Sequence, residues 1–189
     1  MANKKQRSEE EEEYFQREDI EKKAKIRRER QLKALRQKER SEIAKSLNTS
    51  EEVADEAMRL GFDGETARVL PLLPLIQVAW ADGKVTRAQT EKVKKKASKF
   101  GVQPDTPAYE FLNLLLSEEP TPLFFDRANK VIRNIVDDDP GGDIHSNVLN
   151  WSKAVAEASG GFFGLTNPIS KNEQGVLEEF AQLFGVTDK

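Results

Sequence analysis

The 189-residue chain contains no cysteine and a single histidine, and each shortage removes chemistry. Without thiols there is no disulfide, no thiolate metal site and no cysteine nucleophile. With His145 alone, a zinc centre or a nucleophile–base pair lacks its members. Long apolar runs are also scarce. The longest, Val69 to Ala81, is interrupted by Pro71, Pro74 and Gln77 and falls short of the ~20 residues that a membrane span needs. The first thirty residues hold no apolar core of the kind a signal peptide uses, and their Glu9–Glu13 run is foreign to a transit peptide, so a cytoplasmic location is expected. No stretch alternates with period two for long enough to predict a strand.

Charge is plentiful and unevenly placed. Residues 1–49 carry 15 Lys+Arg against 11 Asp+Glu, net +4, whereas residues 50–189 carry 15 against 22, net −7. The sequence therefore divides into a charged N-terminal arm, 1–49, and a helical domain, 50–189. Within the arm, Ser8 to Glu21 holds eight acids and one base, and Lys22 to Arg40 holds ten bases and two acids. Its Glu-, Lys-, Arg- and Ala-rich composition predicts a long helix, solvated or partly disordered, and acids before bases complement the helix dipole. Apolar residues do not sustain a heptad, so a strong coiled coil is not expected. Lys22, Lys23, Lys25, Arg27, Arg28 and Arg30 are the candidate partner-binding residues, for a protein first and for nucleic acid or an anionic surface second.

After residue 50 the pattern is helical throughout. Ser50 caps a helix that turns its Val53, Ala54 and Ala57 side inward and stops at Gly61. The apolar run Val69–Ala81 reads as the central helix, buried on every side, with Pro71 and Pro74 dividing a lead-in from a main segment. Asp82-Gly83 ends it and Thr86 caps the next helix, whose inner stripe is Val93, Ala97 and Phe100 before Gly101. Further helices are expected from Tyr109 to about Pro120, from Pro122 through Val136, after Asp143, and from Ser170 to Gly185. Asp137–Asp143 reads as an acidic loop, and Gly160–Pro168 as a flexible connection. Trp80 and Trp151 sit on helices and read as core.

Two stretches match at a fixed offset: Val85-Thr86-Arg87 with Ile169-Ser170-Lys171, Val93 with Leu177, Ala97 with Ala181, and Phe100-Gly101-Val102 with Phe184-Gly185-Val186. Such a repeat predicts two related helical hairpins about the central helix. On these residues the run Leu72-Leu73-Pro74-Leu75-Ile76-Gln77-Val78-Ala79-Trp80-Ala81-Asp82-Gly83-Lys84-Val85-Thr86 resembles the signature of the tellurite-resistance TerB-like family, with Ile169–Glu173 resembling its second half. The resemblance spans roughly residues 53–187. It implies an all-α fold of about seven helices in two related halves, a non-enzymatic role in tellurite, metal or chemical-stress responses, and in some members an acidic metal-binding surface. Two departures stand out: the family favours an acid seven residues after the turn Asp, where this chain has Gln89, and the second half replaces Asp-Gly with Ser159-Gly160-Gly161.

The expected function is thus a non-catalytic helical module that binds a protein partner. A second reading is a divalent-metal sensor using Asp82, Glu157 and Glu173, three carboxylates of the hard-oxygen type that Ca²⁺ or Mg²⁺ selects. An EF-hand is not among the options. In its frame about Asp82-Gly83 the carboxylate places would be Val78, Trp80 and Gln89.

Overall fold

The computed structural model describes residues 2–138 and 169–183, and side chains from Tyr14 onward within those ranges. Among them the chain is all-α, with seven α-helices and no strand. It forms two compact units, Met1–Glu39 and Arg40–Lys189. The arm is helical: α1 runs Ala2–Leu47 without a break. In the first unit Tyr14, Phe15, Ile20, Ile26, Leu32 and Leu35 are all exposed, which fits a helix with no apolar stripe.

The second unit starts ten residues earlier than the composition suggests. Ile43 and Leu47, one turn apart at the end of α1, are buried in its core, and Arg40 reaches Asp55 Oδ2 at 3.1 Å and Glu51 Oε2 at 3.2 Å on α2. Helix α2 (Glu51–Arg59) begins where Ser50 accepts the Val53 N–H, and Gly61 follows it at φ 93°, a conformation glycine adopts without strain. The apolar run is then split as its prolines require. A 3₁₀ segment, Ala67–Leu72, absorbs Pro71, and α3 (Leu73–Trp80) places Pro74 in its first turn, where a missing N–H costs nothing. Leu70, Leu72, Leu73, Leu75 and Ile76 are fully buried, each contributing about 1.5–3 kcal/mol of transfer free energy. α3 is the central helix, packed against the helices Arg87–Ala97, Pro122–Asp138 and Lys171–Leu183.

Around it stand α4 (Arg87–Ala97), α5 (Pro107–Ser117), α6 (Pro122–Asp138) and α7 (Lys171–Leu183). α5 starts two residues before Tyr109, where the sequence places it: Thr106 accepts the Tyr109 N–H and Pro107 takes the first helical position. Trp80 is partly buried against the core rather than within it, with its indole N–H donated to the Leu115 carbonyl at 2.9 Å. Deeper in, the Asn129 amide of α6 donates to Gln77 Oε1 at 2.8 Å, so the polar residue in the apolar run is held by a partner on the next helix. Trp151, His145, the helix after Asp143, the connection Gly160–Pro168 and the terminal Phe184-Gly185 lie outside the described residues.

Asp137 and Asp138 are helical, not part of an acidic loop. Asp138 closes α6 by capping another helix: its Oδ2 accepts the Thr49 hydroxyl at 2.6 Å and the Ser50 N–H at 2.9 Å. The Thr49 hydrogen bond first, and the Ser50 N–H second, hold its carboxyl below the usual aspartate range. A depressed carboxyl contributes stability above its unfolded pKa and loses it as pH falls through the folded value. Asp138→Asn should therefore lower the urea midpoint slightly at neutral pH and converge with the parent in acid. A constant gap at every pH would exclude this carboxylate as the source.

Candidate functional site

Of the residues singled out by the sequence, Asp82, Gln89 and Glu173 converge at the turn where α3 ends. Gly83 sits at φ 74°, releasing the chain from α3, and Thr86 then caps α4. Thr86 and Gln89 form a reciprocal capping box: the Gln89 N–H donates to Thr86 Oγ1 at 3.2 Å, and Gln89 Oε1 accepts the Thr86 N–H at 2.8 Å. The start of α7 repeats the device 84 residues later. The Glu173 N–H donates to Ser170 Oγ at 3.1 Å, and Glu173 Oε2 accepts the Ser170 N–H at 2.9 Å.

The two boxes meet. Gln89 Nε2 donates to Glu173 Oε1 at 2.9 Å, and both side chains are buried, at 2% and 0% exposure. Each residue spends one oxygen on its own cap and turns the other terminal atom toward its counterpart. One of the pair must therefore be a donor, and Gln89 supplies it. An acid in its place would set two carboxylate oxygens face to face, an arrangement that needs a shared proton or a cation. The amide completes the network from within the chain, and the buried Glu173 also lies in the first turn of α7, where the helix dipole favours negative charge.

Asp82, exposed, belongs to the same constellation. Its Oδ1 accepts the Ser170 hydroxyl at 2.9 Å and the Asn172 amide at 3.0 Å, so the turn after α3 is tied directly to the start of α7. Of the three proposed metal ligands, Asp82 and Glu173 thus flank Ser170 and are engaged in helix capping, while Glu157 lies outside the described residues. No group of three or more His, Asp or Glu side chains is placed to hold an ion among the described residues. At this point the offset repeat encodes a pair of matched capping boxes. The sequence signal for it was available: Gln89, Val93 and Ala97 are spaced by four, which puts the polar residue on the apolar stripe.

Two other surfaces carry chemistry. Lys22, Lys23, Lys25, Arg27, Arg28 and Arg30 are exposed along α1, with Lys22 paired to Glu18 at 3.0 Å. In the second unit, a cleft of about 410 Å³ opens between the Leu60-Gly61 turn and the α5–α6 connection, lined by Phe111, Leu114, Leu115, Pro120 and Phe124, and by Glu118 and Glu119. Its floor is fixed by aromatic packing: buried Phe62 meets Phe111 edge-on at 5.5 Å and stacks on Phe124 at 6.4 Å. Leu114 is 47% exposed and Leu123, next to Phe124, 57%. Sequence periodicity missed this cleft, because it reads inward stripes, and Leu114 stands outside the stripe of α5.

No family model, curated protein or solved structure matches the chain. Among the described residues, no helix is long and apolar enough to cross a membrane.

Proposed function

We propose that the chain is a non-catalytic, TerB-like helical module that works by binding another protein through the α5–α6 cleft. The observation that carries this reading is the exposure of Leu114 beside an apolar cleft whose aromatic floor is already packed. Exposed large apolar groups gathered at a concave site are the ordinary mark of a binding surface. Glu118 and Glu119 in its lining select a partner segment that presents apolar side chains with a basic flank. A setting in tellurite, metal or chemical stress follows from the resemblance of Leu72–Thr86 to the family signature.

The divalent-sensor reading has less to support it, since Asp82 and Glu173 already serve as caps. Melts with Ca²⁺, Mg²⁺, Mn²⁺ and Zn²⁺ test it, and a rise in Tm at millimolar ion would restore it.

For the cleft, Leu114→Asp and, as a control on a different surface, Lys92→Asp are compared with the parent in affinity capture. Both exposed substitutions should leave Tm nearly unchanged. A defined protein held by the parent and the Lys92 variant, yet lost from Leu114→Asp, is the expected result, with affinity reduced at least tenfold. Identical capture by all three would sink the proposal.

A further inference from the structure

The arm poses a question that solvation alone does not answer. A lone exposed helix is best stabilised by mixing signs at spacings of three and four, so that acids and bases pair along its own surface. α1 instead segregates them. Apart from the Lys22–Glu18 ion pair, the side chains of the cations Lys23, Lys25, Arg27, Arg28, Arg30 and Lys33 make no ion pair or hydrogen bond among the described residues.

The segregation has a centre. Counting outward from Lys23, Glu21 lies as far on one side as Lys25 on the other, and the same holds for Asp19 and Arg27, and for Glu18 and Arg28. Farther out the sequence sets Glu13 against Lys33 and Glu10 against Arg36. The residues that break the rule of each half break it together: Arg17, the base in the acidic half, is matched by Glu29, and Arg7 by Glu39. Two apolar pairs share this centre, Ile20 with Ile26 and Tyr14 with Leu32, while Phe15 and Leu35 fall opposite Gln31 and Glu11. From Arg7 to Glu39, every position pair in which both residues are charged is of opposite sign, Lys23 with itself excepted.

We propose that α1 pairs with the α1 of a second copy, antiparallel, about a twofold axis at Lys23. In two antiparallel helices related by such an axis, residues equidistant from the axis lie level with each other. The arrangement sets opposite charges level along both halves; with Lys23 at the seam, a turn of about 100° per residue brings Asp19 and Ile20 toward Arg27 and Ile26 and leaves Tyr14 and Leu32 level but on the outer faces. Parallel, in-register pairing would set like against like at every charge. A nucleic acid or anionic membrane would use only the basic half and leave Glu9–Glu13 facing phosphate. A second copy uses both. The contact is electrostatic at its edges, so it weakens as salt shortens the reach of exposed charges to roughly 3 Å near 1 M.

The full chain is tested by sedimentation equilibrium. The expected result is a dimer at low salt that dissociates at least tenfold more readily at high salt. Two charge-reversed chains decide the geometry: one carries Glu18→Lys, Asp19→Lys and Glu21→Lys, the other Lys25→Glu, Arg27→Glu and Arg28→Glu. Each alone should be monomeric, and an equimolar mixture should form a heterodimer. Because the chain has no cysteine, orientation is read by engineered disulfides. Lys23→Cys should cross-link with itself, and Gln16→Cys should cross-link with Arg30→Cys and not with itself. A monomeric parent at low salt, a dimer untouched by both charge reversals, or self-linking by Gln16→Cys would each overturn the pairing. The cleft is untouched by these changes. Loss of Leu114-dependent capture would defeat the proposed function while the arms still paired.

Discussion

Gln89→Glu should destabilise the folded chain by about 3–5 kcal/mol at pH 7, the scale for leaving a buried charge without its partner. The substitution is nearly isosteric, so neither cavity nor overpacking contributes. What changes is the atom facing Glu173 Oε1, 2.9 Å from the present amide nitrogen. A carboxylate there removes the donor and adds a like charge, with both groups held by their own caps and unable to turn away. The sign with pH follows. Since protonation of one carboxyl restores a donor, the variant should approach the parent's stability in mild acid and lose it as pH rises. A divalent cation should act in the same direction, raising the variant's melting temperature while leaving the parent's in place. Urea denaturation across pH, with and without millimolar Ca²⁺ or Mn²⁺, measures both. A variant as stable as the parent at pH 7 would mean that the Gln89–Glu173 contact is not what joins α4 to α7.

This pair also marks where reading the sequence succeeds and where it stops. Helix boundaries were legible because they are local: Ser50, Thr86 and Ser170 each accept the N–H three residues on, and Gly61, Gly83 and Gly101 adopt the left-handed conformation that ends their segments. The buried run Val69–Ala81 was legible because nothing but a surrounding bundle could hide it. Gln89 and Glu173 are different. A polar residue three after a hydroxyl cap reads as grammar of the first turn; the spacing to Val93 and Ala97 puts Gln89 on the inner stripe, but only the approach of α7 shows what it meets there. The repeat was visible in the sequence; its meeting point was not. The cleft was illegible for a related reason, since Leu114 becomes informative only when Phe62, Phe111 and Phe124 are seen to form a floor beside it.

The boundary of the folded body supplies the other large effect. Composition draws the line at Ser50, where the charged run gives way to helix caps, and a chain beginning there should fail to fold cooperatively. It would lack Ile43, fully buried, and Leu47, 5% exposed. Each such loss costs about 2–5 kcal/mol, so the two together take away on the order of 4–10 of the 5–15 kcal/mol that a domain typically has. The chain would also lack Arg40, which ties the end of α1 to Asp55 and Glu51, and Thr49, which binds Asp138. A chain beginning at Arg36 retains all four with one turn of helix to spare, and should melt within a few degrees of the parent. Thermal melts followed by circular dichroism separate the cases: a broad, low transition is expected from the Ser50 chain and a sharp one from the Arg36 chain. If the Ser50 chain melted at the parent's temperature, α1 would be no part of the core. The Arg36 chain has a further use. It keeps the fold and the Leu114 cleft while losing Lys23 and both charged halves, so it should retain the captured partner and sediment as a monomer.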